Sequence, residues 1–377
     1  MRYRPRMIVR SLAIMLSLAA LTLACDDSSS SSPGDVVTTS TDTSDAGSDA
    51  DTTPSLAMTF SDAPVAGLPD GVRFASAIPY GADPEQVIDV FLPAATAPTA
   101  AILYIHGGGF TQGTRLDAYE GGAASIHTTL EAGVAWIGVD YRLLLEAGAE
   151  TEGVIKSLHD SQRALQFVRY YAASLNIDPT RIAVTGVSAG AGTGLWLALH
   201  DDMADPDSAD PIARQSTRLA TVGAVWPQST YDVVRWVPDV FNGEYSFVTI
   251  DVLLSQPALR ELLVQFYGLD IALADDGDAL QAAVATPAML AYRADVDMLA
   301  LMSPDDPAIY LYCDVPDRSP LDAGFDLLHH PLHDQALITA GAAAGVTIEA
   351  DVPAYDVSSG VAGDHPALTF ILDVIAH

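Results

Sequence analysis

Gly186-Val187-Ser188-Ala189-Gly190 has the form Gly-x-Ser-x-Gly, one hydroxyl held between glycines that let the chain turn sharply around it. A serine hydroxyl attacks a carbonyl only when it is exposed and a neighbouring base takes its proton. The pentapeptide alone is common by chance, and its context gives it weight. The β-rich run Ile182-Ala183-Val184-Thr185 leads into it, and Ala189 to His200 continues as a helix-forming stretch. That arrangement predicts a strand–turn–helix with the Ser188 Oγ at its apex. It also puts Ser188 at a helix N-terminus, where the dipole and free N–H groups favour developing negative charge.

Upstream, Ile105-His106-Gly107-Gly108-Gly109-Phe110 follows a second β-rich run. Acyl transfer passes through a tetrahedral oxyanion, and preorganised N–H donors aimed at that oxygen supply much of the rate. Glycines without side chains let a backbone come close enough to donate; a purely structural glycine turn is the alternative. A nucleophilic serine also needs an imidazole and a carboxylate, and with a Gly-x-Ser-x-Gly turn these follow the serine, Asp or Glu before His. The imidazole is expected after the last strand, in Gly360-Val361-Ala362-Gly363-Asp364-His365, which makes His365 the expected general base. His377 is terminal, and His159 and His200 fall on helices before or beside the turn. The acid is expected just past the strand Ala308–Cys313, where Asp314, Asp317, Asp322 and Asp326 are available; Asp232 is a remoter choice. His329-His330-Pro331-Leu332-His333 has a metal-ligand spacing, but Pro331 reads better as a helix start and no evident carboxylate or cysteine completes a set, so no metal is expected.

The elements that must position these residues alternate from about residue 57 onward. Strands are expected over 87–92, 101–105, 134–139, 182–185, 221–225, 308–313 and 346–352, with a helix keeping Leu158, Leu165, Val168, Ala172 and Leu175 on one face. Another helix is expected over 366–375. Strands separated by helices predict βαβ units and a mostly parallel sheet covered on both faces. The alternation breaks between about 227 and 302, where Trp236, Phe241, Tyr245, Phe247, Phe266 and Tyr267 follow Trp226. These rings fit equally a satellite core under an insertion and a cap around an acyl or aryl group.

With 49% hydrophobic and 18% charged residues, the 377-residue chain is expected to pack as one large domain over 58–377. Its 49 acidic against 17 basic residues, a net charge of −32, argue against nucleic acid as a partner. Arg2, Arg4, Arg6 and Arg10 precede an apolar stretch from Ser11 to Ala24, the pattern of an export signal over 1–24. Leu21-Thr22-Leu23-Ala24-Cys25 resembles a bacterial lipobox, with Thr22 a departure from the usual Leu; Cys25 is the expected lipidation site. The Asp-, Ser- and Thr-rich run up to residue 57 has no aromatic residue before Phe60 and reads as a tether. The implied location is the bacterial cell envelope, exported, with the membrane met only through the anchor. Cys313, in an apolar aromatic run, is expected buried and unpaired.

His106-Gly107-Gly108-Gly109-Phe110, Val139-Asp140-Tyr141-Arg142, Asp178-Pro179-Thr180-Arg181 and Gly186-Val187-Ser188-Ala189-Gly190 together resemble the bacterial carboxylesterase group of the α/β-hydrolase superfamily, nearest its hormone-sensitive-lipase-like and feruloyl-esterase-like branches. Val187 stands where many members carry Asp, and Ala191 where Gly is common. The resemblance implies an α/β-hydrolase fold, oxyanion donors at the N–H groups of Gly108, Gly109 and Ala189, and no cofactor. Family spacing points to Asp317 as the acid, with Asp314 next. The implied activity is hydrolysis of small or medium acyl or aryl esters through an acyl-enzyme. A serine peptidase or a polysaccharide-deacylating esterase of the same fold would use the same residues, and a catalytically silent surface binding protein would share the fold.

Overall fold

The computed structural model describes residues 55–377, apart from 243–244, 246–248, 320–324, 364 and 377. The expected leader, Cys25 and nearly all of the tether lie outside the described residues, as do Asp322, Phe247 and His377. Among the described residues, eight strands form one sheet in the order β1-β2-β4-β3-β5-β6-β7-β8. They are β1 (Arg73–Pro79), β2 (Val87–Leu92), β3 (Thr99–Ile105), β4 (Ala135–Val139), β5 (Ile177–Val187), β6 (Val222–Val225), β7 (Ile309–Tyr312) and β8 (Ile348–Asp351). The pairs β1–β2 and β2–β4 are antiparallel, and every pair from β4 to β8 is parallel. The expected mostly parallel sheet is therefore present, with an antiparallel edge. Strand β1 is absent from the expectation: it carries a register shift between Ala75 and Ile78, with Ala77 at φ 52°, which breaks the period-two pattern.

Strands β3 and β4 are almost wholly buried because helices cover both faces. On one face lie α2 (Ile155–Tyr170), α3 (Ala189–Leu199) and α6 (Leu332–Ala344), packing Leu158, Leu165, Leu195, Trp196 and Leu337 with Ile105, Val139 and Val184. On the other, α1 (Ala123–Glu131) and α7 (Pro366–Ile375) pack Ile126, Leu130, Leu368 and Ile371 with Phe91, Ile102 and Trp136.

The described residues between β6 and β7 form helices and no named strand, the helices including α4 (Pro257–Tyr267) and α5 (Pro287–Asp295). Thr249, Asp276 and Thr286 cap its helices by accepting from N–H groups of the first turn. It builds further cores: Leu254, Leu263, Val264, Tyr267 and Leu280 in one, and Trp236, Val240, Phe241 and Tyr245, joined by Phe325 from beyond β7, in another. Trp236, Phe241, Tyr245 and Tyr267 thus belong to satellite cores, whereas Phe266 packs edge-on to Phe110, 6.0 Å between centroids. Buried Asp232 fastens the insertion: it accepts from Arg293 Nε at 2.8 Å and from the Tyr267 hydroxyl at 3.2 Å. That pairing makes it a structural anchor and not a candidate acid.

Candidate active site

Strand β5 ends at Val187 and α3 begins at Ala189, leaving Ser188 alone on the turn at φ 55°, ψ −121°. A non-glycine residue rarely adopts that conformation, at a cost of about 1–3 kcal/mol that the surroundings must impose. They impose it by close packing. A Cβ on Gly190 would fall 1.9 Å from the Ile105 carbonyl oxygen, and one on Gly186 would fall 2.5 Å from the Gly190 backbone. Only glycine lets β3, β5 and α3 meet there.

Ser188 Oγ lies 2.8 Å from His329 Nε2, and His329 Nδ1 lies 2.8 Å from Asp326 Oδ2. With the Nδ1 proton directed at the carboxylate, Nε2 is left to accept from the Ser188 hydroxyl. Asp326 and His329 occupy a single turn, where the other carboxylate oxygen, Oδ1, accepts from the N–H groups of Leu328 and His329 at 3.0 and 3.2 Å. Burial works to raise the Asp326 pKa, but the His329 hydrogen bond and charge, with those N–H groups, outweigh it and hold the carboxyl below its ordinary value.

Three side chains fix this turn through three consecutive carbonyls. His333 Nε2 meets the Leu327 oxygen at 3.1 Å, Gln228 Nε2 donates to Leu328 at 2.9 Å, and the Cys313 thiol donates to His329 at 3.6 Å. His333 is wholly buried and its Nδ1 accepts from the Ser229 N–H at 3.3 Å. The histidines therefore diverge. His329 faces Ser188, His330 Nε2 donates to the Arg318 carbonyl at 3.2 Å, and His333 braces the turn. Pro331 is the residue before α6, as its helix-start reading implies.

The imidazole that meets Ser188 is thus His329 and not His365. His365 is exposed and stands immediately before α7, its carbonyl accepting from the Thr369 N–H. The preceding loop is pinned to β8, Ser359 N–H donating to Asp351 at 2.8 Å and Val352 bridging to Val357. Strand β8 is three strands from β5, about 14 Å at ordinary strand spacing. The expected acids also go elsewhere. Asp317 accepts from the Tyr245 hydroxyl at 2.6 Å and stands 3.2 Å from His330, and Asp314 accepts from the Trp226 indole at 2.8 Å. Trp226, at φ 53°, brings its ring within 6.1 Å of the His329 ring.

The triple glycine lies against the same turn. A Cβ on Gly107 would approach the Val187 oxygen to 2.7 Å and the Ser188 Cβ to 3.4 Å. Gly108 and Gly109 follow at φ 102° and 61°, and their N–H groups donate to no backbone acceptor outside helices and strands among the described residues. Ala189 opens α3, so its N–H has no partner within the helix. The loop is held from below: His106 stacks on Tyr141 with centroids 4.2 Å apart, and the Tyr141 hydroxyl donates to the His106 carbonyl at 3.0 Å.

Comparison with known proteins agrees with this frame. The BD-FAE family model matches residues 88–237, which include the triple glycine and Ser188 but not the Asp326–His329 turn. Carboxylesterase NlhH of Mycobacterium tuberculosis is 37% identical over 106 residues, 28% of this chain and 31% of that protein. Cholinesterase 1 of Branchiostoma lanceolatum is 32% identical over 146 residues, 37% of this chain and 38% of that protein. The chain therefore spans about a third of the length of these relatives. Among solved structures, a truncated carbohydrate esterase from gut microbiota superposes with a TM-score of 0.51, covering 79% of this chain and 90% of that one at 16% identity, a likeness of fold. Sheet order, a strained serine between β5 and α3, and these matches agree: the chain has the α/β-hydrolase fold.

Proposed function

We propose that the protein is a serine carboxylic-ester hydrolase in which Ser188 is the nucleophile, His329 the general base and Asp326 the group that orients the imidazole. The observation carrying this reading is the continuous relay from Ser188 Oγ to His329 Nε2 and from His329 Nδ1 to Asp326 Oδ2, each link 2.8 Å. As Ser188 Oγ bonds to the ester carbonyl carbon, its proton passes to His329 Nε2, and Asp326 stabilises the imidazolium. The carbonyl oxygen takes the negative charge, and the N–H groups of Gly108, Gly109 and Ala189 are the donors that meet it. His329 then gives the proton to the departing alcohol. A water molecule enters by the reverse sequence, its proton going to His329, and the acid leaves with Ser188 restored.

Small and medium acyl or aryl esters are the proposed substrates, the Trp226 ring beside His329 offering an apolar wall to one side of the ester. The decisive experiment compares parent, Ser188→Ala, His329→Ala and His365→Ala on p-nitrophenyl esters of increasing chain length, with fluorophosphonate labelling alongside. The first two substitutions are expected to remove turnover, and His365→Ala to leave it within a few-fold of the parent. Full activity of His329→Ala would sink the assignment, and absent labelling of the parent would sink the hydrolase reading altogether.

We also propose that the protein is exported and anchored through a lipid on Cys25, the acidic tether holding the catalytic domain off the membrane. Radiolabelled palmitate incorporated by the parent and not by Cys25→Ala is the expected result; equal labelling of the two would exclude Cys25 as the site.

A further inference from the structure

Directly behind the His329 turn the fold buries an acid that the proposed chemistry does not use. Asp334, two residues into α6, has no exposed surface, and neither carboxyl oxygen has a hydrogen-bond partner among the described residues. A lone buried carboxylate is among the costliest groups a core can hold, so the site is built for the neutral acid. Its neighbour is Cys313, the residue after β7, also wholly buried. The Cys313 thiol has one proton to give and two acceptors within reach. Here it donates to the His329 carbonyl oxygen at 3.6 Å.

We infer that Asp334 and Cys313 are positioning residues for His329, forming a neutral strut in which the thiol braces the His329 carbonyl only while Asp334 stays protonated. The inference rests on the proposed role of His329. Once Asp334 loses its proton, the carboxylate is the stronger acceptor, and the thiol turns from the His329 carbonyl to it. The turn carrying both Asp326 and His329 then loses one of its three carbonyl ties. Among the described residues, Asp314 beside Cys313 also acts on the thiol, and its carboxylate turns to the Trp226 indole. His333, beside Asp334 on α6, is held neutral by burial. From the elements packed on α6, Asp239 and Asp297 turn to Arg235, Asp351 to Tyr310 and Ser359, and Glu349 is exposed. Burial pushes the Asp334 carboxyl up to about 8, so the strut lets go just above neutral pH.

A serine hydrolase limited only by its imidazole keeps its activity as pH rises, because the base remains free. The strut adds an alkaline limb. The test is kcat/KM from pH 5.5 to 9.5 on a p-nitrophenyl ester for the parent and Asp334→Asn, each normalised to its own value at pH 7. The parent is expected to fall above pH ~8 to a plateau about fivefold lower, the effect of one lost hydrogen bond; Asp334→Asn is expected to stay within about twofold of its neutral-pH value, with the acid limb unmoved. A parent flat to pH 9.5, or the same alkaline limb in both proteins, overturns the strut. Cys313 gives a second measurement should Asp334→Asn fail to fold. Cys313→Ala is expected to lower kcat at pH 7 about fivefold with KM unchanged, the effect of one lost hydrogen bond, and Cys313→Ser to recover most of it. An unchanged kcat in Cys313→Ala overturns the proposal. Ser188→Ala and His329→Ala at pH 7 separate the two failures: if His329→Ala keeps its turnover, the role of His329 falls first; if it does not, a negative profile counts against the strut alone.

Discussion

Gly190 sits so close to Ile105 that a Cβ on it would stand 1.9 Å from the Ile105 carbonyl oxygen and 2.7 Å from that of His106. The obstructing atoms are backbone atoms of β3 and of the strand's exit into the triple-glycine loop, and neither can swing aside as a side chain could. Gly190→Ala is therefore expected to push α3 off β3 and spoil both the Ser188 turn and the glycine loop. The cost is overpacking in a rigid core, at least about 1–3 kcal/mol, with activity lost well beyond that change in stability. Gly109→Ala is the control: no atom lies within 4 Å of its Cβ position, so only the φ of 61° opposes the change. Thermal melts and p-nitrophenyl ester turnover of the two variants test this, and a Gly190→Ala protein with parental activity would refute it.

Asp326 offers a cleaner probe of the relay, because its substitution by Asn keeps size and shape. An amide in place of Oδ2 can present an N–H to His329 Nδ1, favouring the tautomer that puts the proton on Nε2, where it blocks the Ser188 hydroxyl. Asp326→Asn is expected to lower kcat by roughly 10²–10⁴-fold with little change in KM. The depressed Asp326 pKa adds a pH signature. A carboxyl held below its ordinary value contributes stability that is complete above the unfolded pKa and is lost as pH falls through the folded one. The parent should therefore shed on acidification a contribution that Asp326→Asn never had. A kcat within tenfold of the parent would show that Asp326 does not orient the base.

The unequal legibility of this site in the sequence has a physical cause. The Ser188 turn, the triple glycine, strand 87–92 and helix 366–375 are written in neighbouring residues, so local patterns place them. The sequence puts the base after the last strand and leaves the acid open among four aspartates past 308–313, Asp326 among them, whereas the structure brings Asp326 and His329 together in one turn after β7. Its only local trace is Asp326-Leu327-Leu328-His329 ahead of Pro331. What brings that turn to Ser188 is Gln228, Cys313 and His333 holding three carbonyls, contacts drawn from the chain just past β6, from the residue after β7 and from α6. Periodicity does not record such ties. The same is true of the aromatic rings of the insertion, whose division between satellite core and site depends on where β6 and β7 deliver them.

The insertion itself depends on a buried ion pair. Asp232 and Arg293 have side chains 5% and 14% exposed, and Arg293 ties α5 to the segment leaving β6. Removing one partner leaves the other charge buried without compensation, typically at a cost of 3–5 kcal/mol, about what Arg293→Ala should show. Replacing both by apolar residues of similar volume, as in Asp232→Leu with Arg293→Met, is expected to recover most of that loss. Denaturant melts of the single and double variants decide the matter: a double variant no more stable than Arg293→Ala would mean that the pair is not the anchor.

His333 sets the acid side of stability. Burial drives its pKa down to about 3, against an ordinary value near 6.5, because a charged imidazole finds no water between Ser229 and Leu327. Between those two values the unfolded chain binds a proton that the native protein refuses. Stability therefore falls as pH drops from about 6.5 towards 3, by roughly 1.4 kcal/mol per pH unit from this residue. His333→Gln keeps an acceptor and a donor on an uncharged side chain. It is expected to be less stable than the parent at pH 7, since the amide fits the buried site less well, yet its melting temperature should decline less steeply between pH 6.5 and 4.5. Because His333 also holds the Leu327 carbonyl, the two effects separate by readout. The neutral-pH loss should appear in kcat as well as in melting, and the change of slope in melting alone. Parallel melting curves for parent and variant across that interval would mean that another group governs acid unfolding.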